Sequence, residues 1–461
     1  MFKRNNVLFI AVFILSMSPY IVSADSFGPE EWHQYRMQSD KNAVFDNGSE
    51  PLTYQTYETT DEVRATPVIV GNKLFIGNHE SGDLHAFDVH SGEQLWENQA
   101  PNWIHSEMIY HNGKVYVGFG NRFFREDGIR GTGENGVMAL DADSGDILWK
   151  YNTDGEVMPT PAYHDGAVYI ATGDRNLFKL DPDTGEVLHQ AYIGSTISMS
   201  APNITEDTLY VGGGAPEPYT FSAYDLENDD FKWQTEIPEA YAGLDDVPPA
   251  TSDNLVVTTA LEKAGDGENA EHFMYAMDTA SGEIVWKESL GVGEDVSNNR
   301  SGAPMIYEGN IYVGSPITKA FYAYDLKTGE KLWEFEDEVM KAPPVAQDGI
   351  VYFSNTKGFV YALDAETGEQ LGEKKLNGVL APAGPIIVND TLFVGSQDSN
   401  VYAVPLTDFE QEQGDESDVY ADERHSEGTE KDSNLVQYMV LGVLVFLLAI
   451  VIYMMMRKRR R

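Results

Sequence analysis

The chain has 461 residues and a formal charge of −43 at pH 7, from 74 acidic against 31 basic residues, and it contains no cysteine. A surface this acidic repels nucleic acid and anionic lipid. The missing thiols exclude disulfide redox chemistry, thiolate metal sites and lipid attachment through an N-terminal Cys. The acids are spread along the whole chain, which fits an exported surface adapted to a salty or acidic exterior, where self-repulsion is screened.

Residues 1–24 read as a secretory signal: Lys3-Arg4, an apolar run from Val7 to Ile14, and Val22-Ser23-Ala24 as a small-residue cleavage site. The mature chain is expected to begin at Asp25, with a repeat domain over 25–407. Residues 408–434 are acidic and lack apolar periodicity, as in a solvated stalk. Leu435 to Met456 is an uncharged apolar run of 22 residues, long enough as a helix to cross a bilayer. The basic run Arg457 to Arg461 follows and is expected to stay cytoplasmic. These segments predict a single-pass plasma-membrane protein with its repeat domain outside.

Within that domain one phrase returns seven times: Ala-x-Asp, a Ser/Thr-Gly-acid turn, then an apolar pair ending in Trp. The Asp residues are Asp88, Asp141, Asp181, Asp225, Asp278, Asp325 and Asp364, spaced by 53, 40, 44, 53, 47 and 39 residues. Each copy follows an alternating apolar strand that opens on Ala/Thr-Pro, such as Thr66-Pro67 to Gly77 or Ala303-Pro304 to Gly314. That period, with strand alternation inside it, predicts an all-β propeller of four-stranded blades. The turn glycines suit positive φ, and Trp96, Trp149, Trp233, Trp286 and Trp333 are expected to dock between blades near the rim. An eighth unit, from Ala381-Pro382, ends near Pro405 without its outer strand. Tyr54 to Thr59 aligns with the outer strand Leu148 to Thr153 and is expected to return and close an eight-bladed ring.

The phrase Ala-x-Asp-x-x-Thr-Gly-Glu-x-x-Trp resembles the tryptophan-docking motif of the pyrroloquinoline quinone (PQQ)-type propeller repeats. Trp32-His33-Gln34-Tyr35-Arg36 resembles the Trp-x-x-Phe-Arg opening common in that family. The resemblance spans about Trp32 to Leu406, with departures at Lys179, His189, Asn228-Asp229-Asp230 and Gly372. The family includes quinoprotein dehydrogenases and cofactor-free relatives such as BamB, the propeller lipoprotein of outer-membrane assembly. It therefore implies two classes: a binding scaffold, or a dehydrogenase holding PQQ with calcium in the central funnel. The Cys pair frequent in the enzymes is absent here, and no calcium-and-base set maps residue by residue.

Other patterns are weaker. Asp181-Pro182-Asp183-Thr184-Gly185-Glu186 clusters oxygens like a calcium loop but lacks the EF-hand Glu, so it reads as a structural turn. Gly131 to Gly136 matches a dinucleotide glycine pattern without a helix behind it. His85 and His272 read as surface or interblade residues. Loops ahead of the blades hold Trp103, His105, Asn298, Asn299, Arg300 and Lys341, a candidate partner-binding surface. The sequence thus favours a membrane-anchored, non-enzymatic propeller that binds a protein or cell-envelope ligand and needs no cofactor. A divergent PQQ-dependent dehydrogenase is the alternative.

Overall fold

Each repeated phrase builds two antiparallel strands around its Asp-Gly turn, and the apolar strands ahead of it complete a sheet. The computed structural model describes residues 26–410 other than 266, 268, 297–300 and 339. It shows eight sheets, at 68–99, 109–153, 162–192, 203–237, 240–293, 305–336, 345–375 and 386–405. Blade eight takes its outer strand from the N-terminal side: Gln55–Glu58 pairs antiparallel with Asn400–Pro405, with Gln55 opposite Ala403. The ring closes as the repeat count requires. The signal segment, nearly all of the stalk, the apolar run 435–456 and the basic tail lie outside the described residues. Among the described residues no helix is long and apolar enough to cross a membrane.

The rim repeats one contact. The indole Nε1 of each docking Trp donates to a carbonyl in the next blade's turn at 3.0 Å: Trp96 to Ala142, Trp149 to Pro182, Trp233 to Thr279, Trp286 to Leu326 and Trp333 to Ala365. The acceptor is always the residue after the repeat's Asp. The ring itself lies on that turn's glycine. A Cβ at Gly185, where φ is +71°, would stand 2.5 Å from the Trp149 ring. The turn therefore needs glycine twice, for its backbone conformation and for the space the neighbouring indole fills. The Asp carboxylates bond the turn amides, as Asp181 Oδ1 does with the Thr184 N–H at 2.9 Å. These hydrogen bonds hold the Asp181 carboxyl below the usual carboxylate range, so the clustered oxygens have a structural role.

Two departures from the repeat are compensated by other residues. At the ring closure Gln55 lies against Gly92, and the Tyr57 hydroxyl donates to the Val89 carbonyl at 2.6 Å. In blade seven Gly372 replaces Trp, and the backbone of Phe409, on the short helix Thr407–Glu410, fills the space. The Phe409 ring meets Tyr352 edge-on at 5.4 Å.

The N-terminal arm, 26–47, threads past the inner strand of every blade in turn. Backbone hydrogen bonds link Gly28 to Gly71, Trp32 to Tyr110, His33 to Tyr163, Ser39 to Thr251, Asp40 to Ile306 and Ala43 to Ile387. Side chains complete the circuit, Gln34 bonding Ile204 and Asn42 bonding Ala346. Val44–Phe45 adds a parallel strand to blade eight. Buried charges fix this arm at the axis. Arg36 donates to the carbonyls of Lys41, Pro344 and Pro385. Glu107 accepts from Trp32 Nε1 at 2.7 Å and from the Arg36 N–H at 2.8 Å. Burial pushes the Glu107 carboxyl up to about 7 and the Lys41 amine down to about 7. Trp32 to Arg36 is thus the hub of the ring rather than a simple lead-in.

Candidate functional site

The arm stops one end of the central channel, and the loops ahead of the blades surround the other. Between them lies a cavity of about 600 Å³. Its wall combines Arg64, Arg122, Arg130 and Lys341 with His79, His105, Trp103 and the carboxyls Glu80, Asp245 and Asp246. A narrower chamber beneath it reaches Tyr35 of the arm, so the arm is the floor of the funnel.

Carboxylates hold the cations in place. Lys341, 6% exposed, meets Asp246 at 2.6 Å. Arg64 meets Glu62 at 2.8 Å, and Arg130 lies 3.2 Å from the fully buried Glu156. Burial nevertheless pushes the Glu156 carboxyl up, against the pull of Arg130. Asp245 sits on the turn Leu244–Asp246, and its backbone carbonyl accepts the N–H groups of Ser198, Met199 and Ser200. Burial pushes its carboxyl up to about 6, with Arg130 and Lys341 opposing and Asp246 adding to the rise. Below that pH it presents a protonated acid to the cavity.

An aromatic and imidazole cluster forms one side of the mouth. The His79 ring lies 4.1 Å from His105 and 4.8 Å from Trp103, and Trp103 meets Phe123 edge-on at 5.3 Å. Burial and the nearby arginines push His79 down to about 3 and His105 well below the ordinary range. Both ring nitrogens of His79 and Nδ1 of His105 are buried without a hydrogen-bond partner. Orphaned polar atoms on a cavity wall mark a place where a ligand or water completes the bonding.

Of the residues singled out from the sequence, Trp103, His105 and Lys341 come together in this funnel. Lys341 is buried in its wall rather than displayed on a rim. Asn298, Asn299 and Arg300 lie outside the described residues. Sequence reasoning missed Arg64, His79, Arg122, Arg130 and Asp245. The signal available for two of them was the extra length at Phe119–Gly136: this insertion supplies Arg122, Phe123, Phe124 and Arg130 to the mouth. The glycine pattern inside it leads into the strand Asn135–Asp141, not a helix. His85 and His272 are fully buried, so the surface placement fails, while the interblade placement holds for His272. His272 bridges Ser315 and Ser301 at 2.8 and 3.1 Å.

Among the described residues the funnel offers no donor set that fits PQQ with calcium. Among the described residues no three carboxylates or histidines converge there, and Asp246 is already engaged by Lys341. The two remaining lining carboxyls do not make the oxygen cage a calcium ion takes.

The family model for outer membrane protein assembly factor BamB matches residues 36–127, 120–243 and 200–412. The tetrathionate hydrolase of Acidithiobacillus ferrooxidans is 28% identical over 352 residues, covering 71% of this chain and 70% of that protein. BamB of Yersinia pestis is 23% identical over 361 residues, covering 73% and 83%. The quinohemoprotein alcohol dehydrogenase of Comamonas testosteroni superposes with a TM-score of 0.59 at 16% identity, over 81% of this chain and 80% of that one; this likeness concerns the fold alone. Repeat, docking geometry and family match agree, and the chain belongs to the BamB-like family of PQQ-type β-propellers.

Proposed function

We propose that this chain is an exported propeller whose funnel binds and hydrolyses a compact dianion of the tetrathionate class, most strongly in acid. The observation that carries this reading is the funnel wall: four basic side chains and two neutral imidazoles with orphaned nitrogens around one cavity, in a chain of charge −43. As pH falls through about 6, Asp245 takes up a proton and the balance of the wall moves toward the cations. Asp245 is then the group placed to carry a proton at the bound anion. The 28% identity to a tetrathionate hydrolase supports this ligand class.

The test is calorimetric titration of the purified chain with tetrathionate at pH 4 and pH 7, alongside its disappearance with time. Tighter binding at pH 4, weakened at least tenfold in Arg64→Gln and followed by loss of tetrathionate, is expected. No binding heat and no loss of tetrathionate at either pH would refute the proposal.

A second reading has its own observation. Phe123 and Phe124 are 49% and 56% exposed at the mouth, an apolar pair on a highly charged surface. Together with the BamB family match they support a protein or cell-envelope partner seated on the rim. Phe123→Ser with Phe124→Ser should abolish capture of such a partner while tetrathionate binding survives. The N-terminal signal, the run 435–456 and the basic tail support a propeller held outside the plasma membrane. Protease added to intact cells should release it.

A further inference from the structure

A separate cluster lies on the side of the ring away from the funnel mouth, where the arm crosses the inner strand of blade two. Glu31 and His33 come from the arm, and His111 ends the strand Ile109–His111. His33 Nε2 is 3.1 Å from Glu31 Oε2, His111 Nδ1 is 3.1 Å from the same oxygen, and the two ring nitrogens are 3.1 Å apart. Hydrogen bonding does not account for this triangle. An ionised carboxylate oxygen only accepts, so both imidazoles would have to donate to it, and two N–H groups would then face each other across the third edge. A cation at the centre attracts all three atoms at once.

We propose that Glu31, His33 and His111 form a binding site for one divalent transition-metal ion, zinc by donor type. Two imidazole nitrogens and one carboxylate oxygen are donors that zinc takes and that the hard cations calcium and magnesium disfavour. An ion about 2 Å from each donor fits just off the plane of a 3.1 Å triangle and keeps a fourth position for water. The three side chains are 40%, 40% and 25% exposed, which leaves that position open to solvent. Outer contacts already orient the donors. Glu31 Oε1 accepts the Asn112 N–H at 3.3 Å, and the His111 ring stacks on Tyr163 at 3.7 Å with 18° between planes. The Tyr163 N–H in turn donates to the His33 carbonyl at 2.7 Å. His164, nearby, is engaged by Asp207 at 2.8 Å and stands apart from the set. Because two donors lie on the arm and one on a blade, the bound ion would pin the arm to the ring.

The test uses the full-length chain, stripped with a chelator and titrated with Zn²⁺ and, separately, Co²⁺. One equivalent of either ion is expected, with visible cobalt bands of a four-coordinate site and a thermal midpoint raised by zinc. Glu31→Gln and His111→Gln should each lose at least tenfold in zinc affinity, with metal-free melting unchanged in Glu31→Gln. Glu31 is more exposed than His111 and lies on the arm, so that variant reports on the site even if His111→Gln perturbs blade two. Parental zinc affinity in both variants, or no uptake and no cobalt bands in the parent, would overturn the site.

Discussion

The rim and the axis of this ring are held together by different means. At the rim a neutral contact recurs from blade to blade, an indole on a glycine with one hydrogen bond to a carbonyl. At the axis each contact occurs once, and several bury charge: Arg36, Lys41, Glu107 and Glu156 have essentially no exposure. A repeated contact tolerates the loss of a copy, because Tyr57 or Phe409 can take the place of a missing Trp. A buried charge has no such substitute, since removing one partner strands the other. The difference separates what keeps the ring a ring from what makes this ring particular.

The largest effect should come from breaking the closure. Deleting residues 51–62 removes the outer strand of blade eight and the Tyr57 bond to blade one, leaving the strand Asn400–Pro405 as an uncovered sheet edge. Aggregation or loss of the cooperative melting transition is expected, followed by light scattering and circular dichroism. A parental midpoint would show that the arm alone fastens the ring.

Within the rim, Trp149→Ala should cost about 3–5 kcal/mol in denaturant unfolding, since the ring is only 8% exposed. The reciprocal change, Gly185→Ala, should cost about 1–3 kcal/mol, because the new methyl meets that ring at 2.5 Å and φ is positive. The two losses should not add, for both disrupt the same junction.

At the axis the sharper probe is pH. Asp245 and Glu107 have folded pKa values of about 6 and 7, above their unfolded values, so the folded state holds protons that the unfolded chain releases. Their contribution is complete below about pH 4 and is lost as pH rises through 6 to 7. The depressed imidazoles of His79 and His105 pull the urea midpoint the opposite way over this range, so the carboxyl is read by difference: between pH 4.5 and 7 the midpoint of Asp245→Asn should gain on that of the parent. A variant-to-parent difference that stays constant over this range would contradict the assignment. The smallest effect belongs to the outer face of the rim. Leu188 is 55% exposed, and Leu188→Ser should shift stability by no more than about 0.5 kcal/mol.

The same division explains what the sequence disclosed. Rim contacts recur at a fixed period, so blade count, docking tryptophans and the returning strand near Tyr57 were legible before any coordinates. The arm was not, because it touches each blade through one or two residues, mostly by backbone bonds that leave no side-chain pattern. The funnel was only partly legible. Its basic residues stand at 64, 122, 130 and 341, on three loops whose convergence exists only once the ring has closed. The Glu31, His33 and His111 cluster hid for the same reason, since 78 residues separate its two histidines.

The arm also sets an order of assembly. It is made first, yet its binding track is complete only when blade eight, the last made, is in place, since Ala43 bonds Ile387 and Asn47 bonds Asn389. During folding the leading segment must wait for the trailing one. A chain cut short after any earlier blade would leave part of the arm unpaired. The axial thread thus acts as a check on length, stable only in a polypeptide that has been delivered whole.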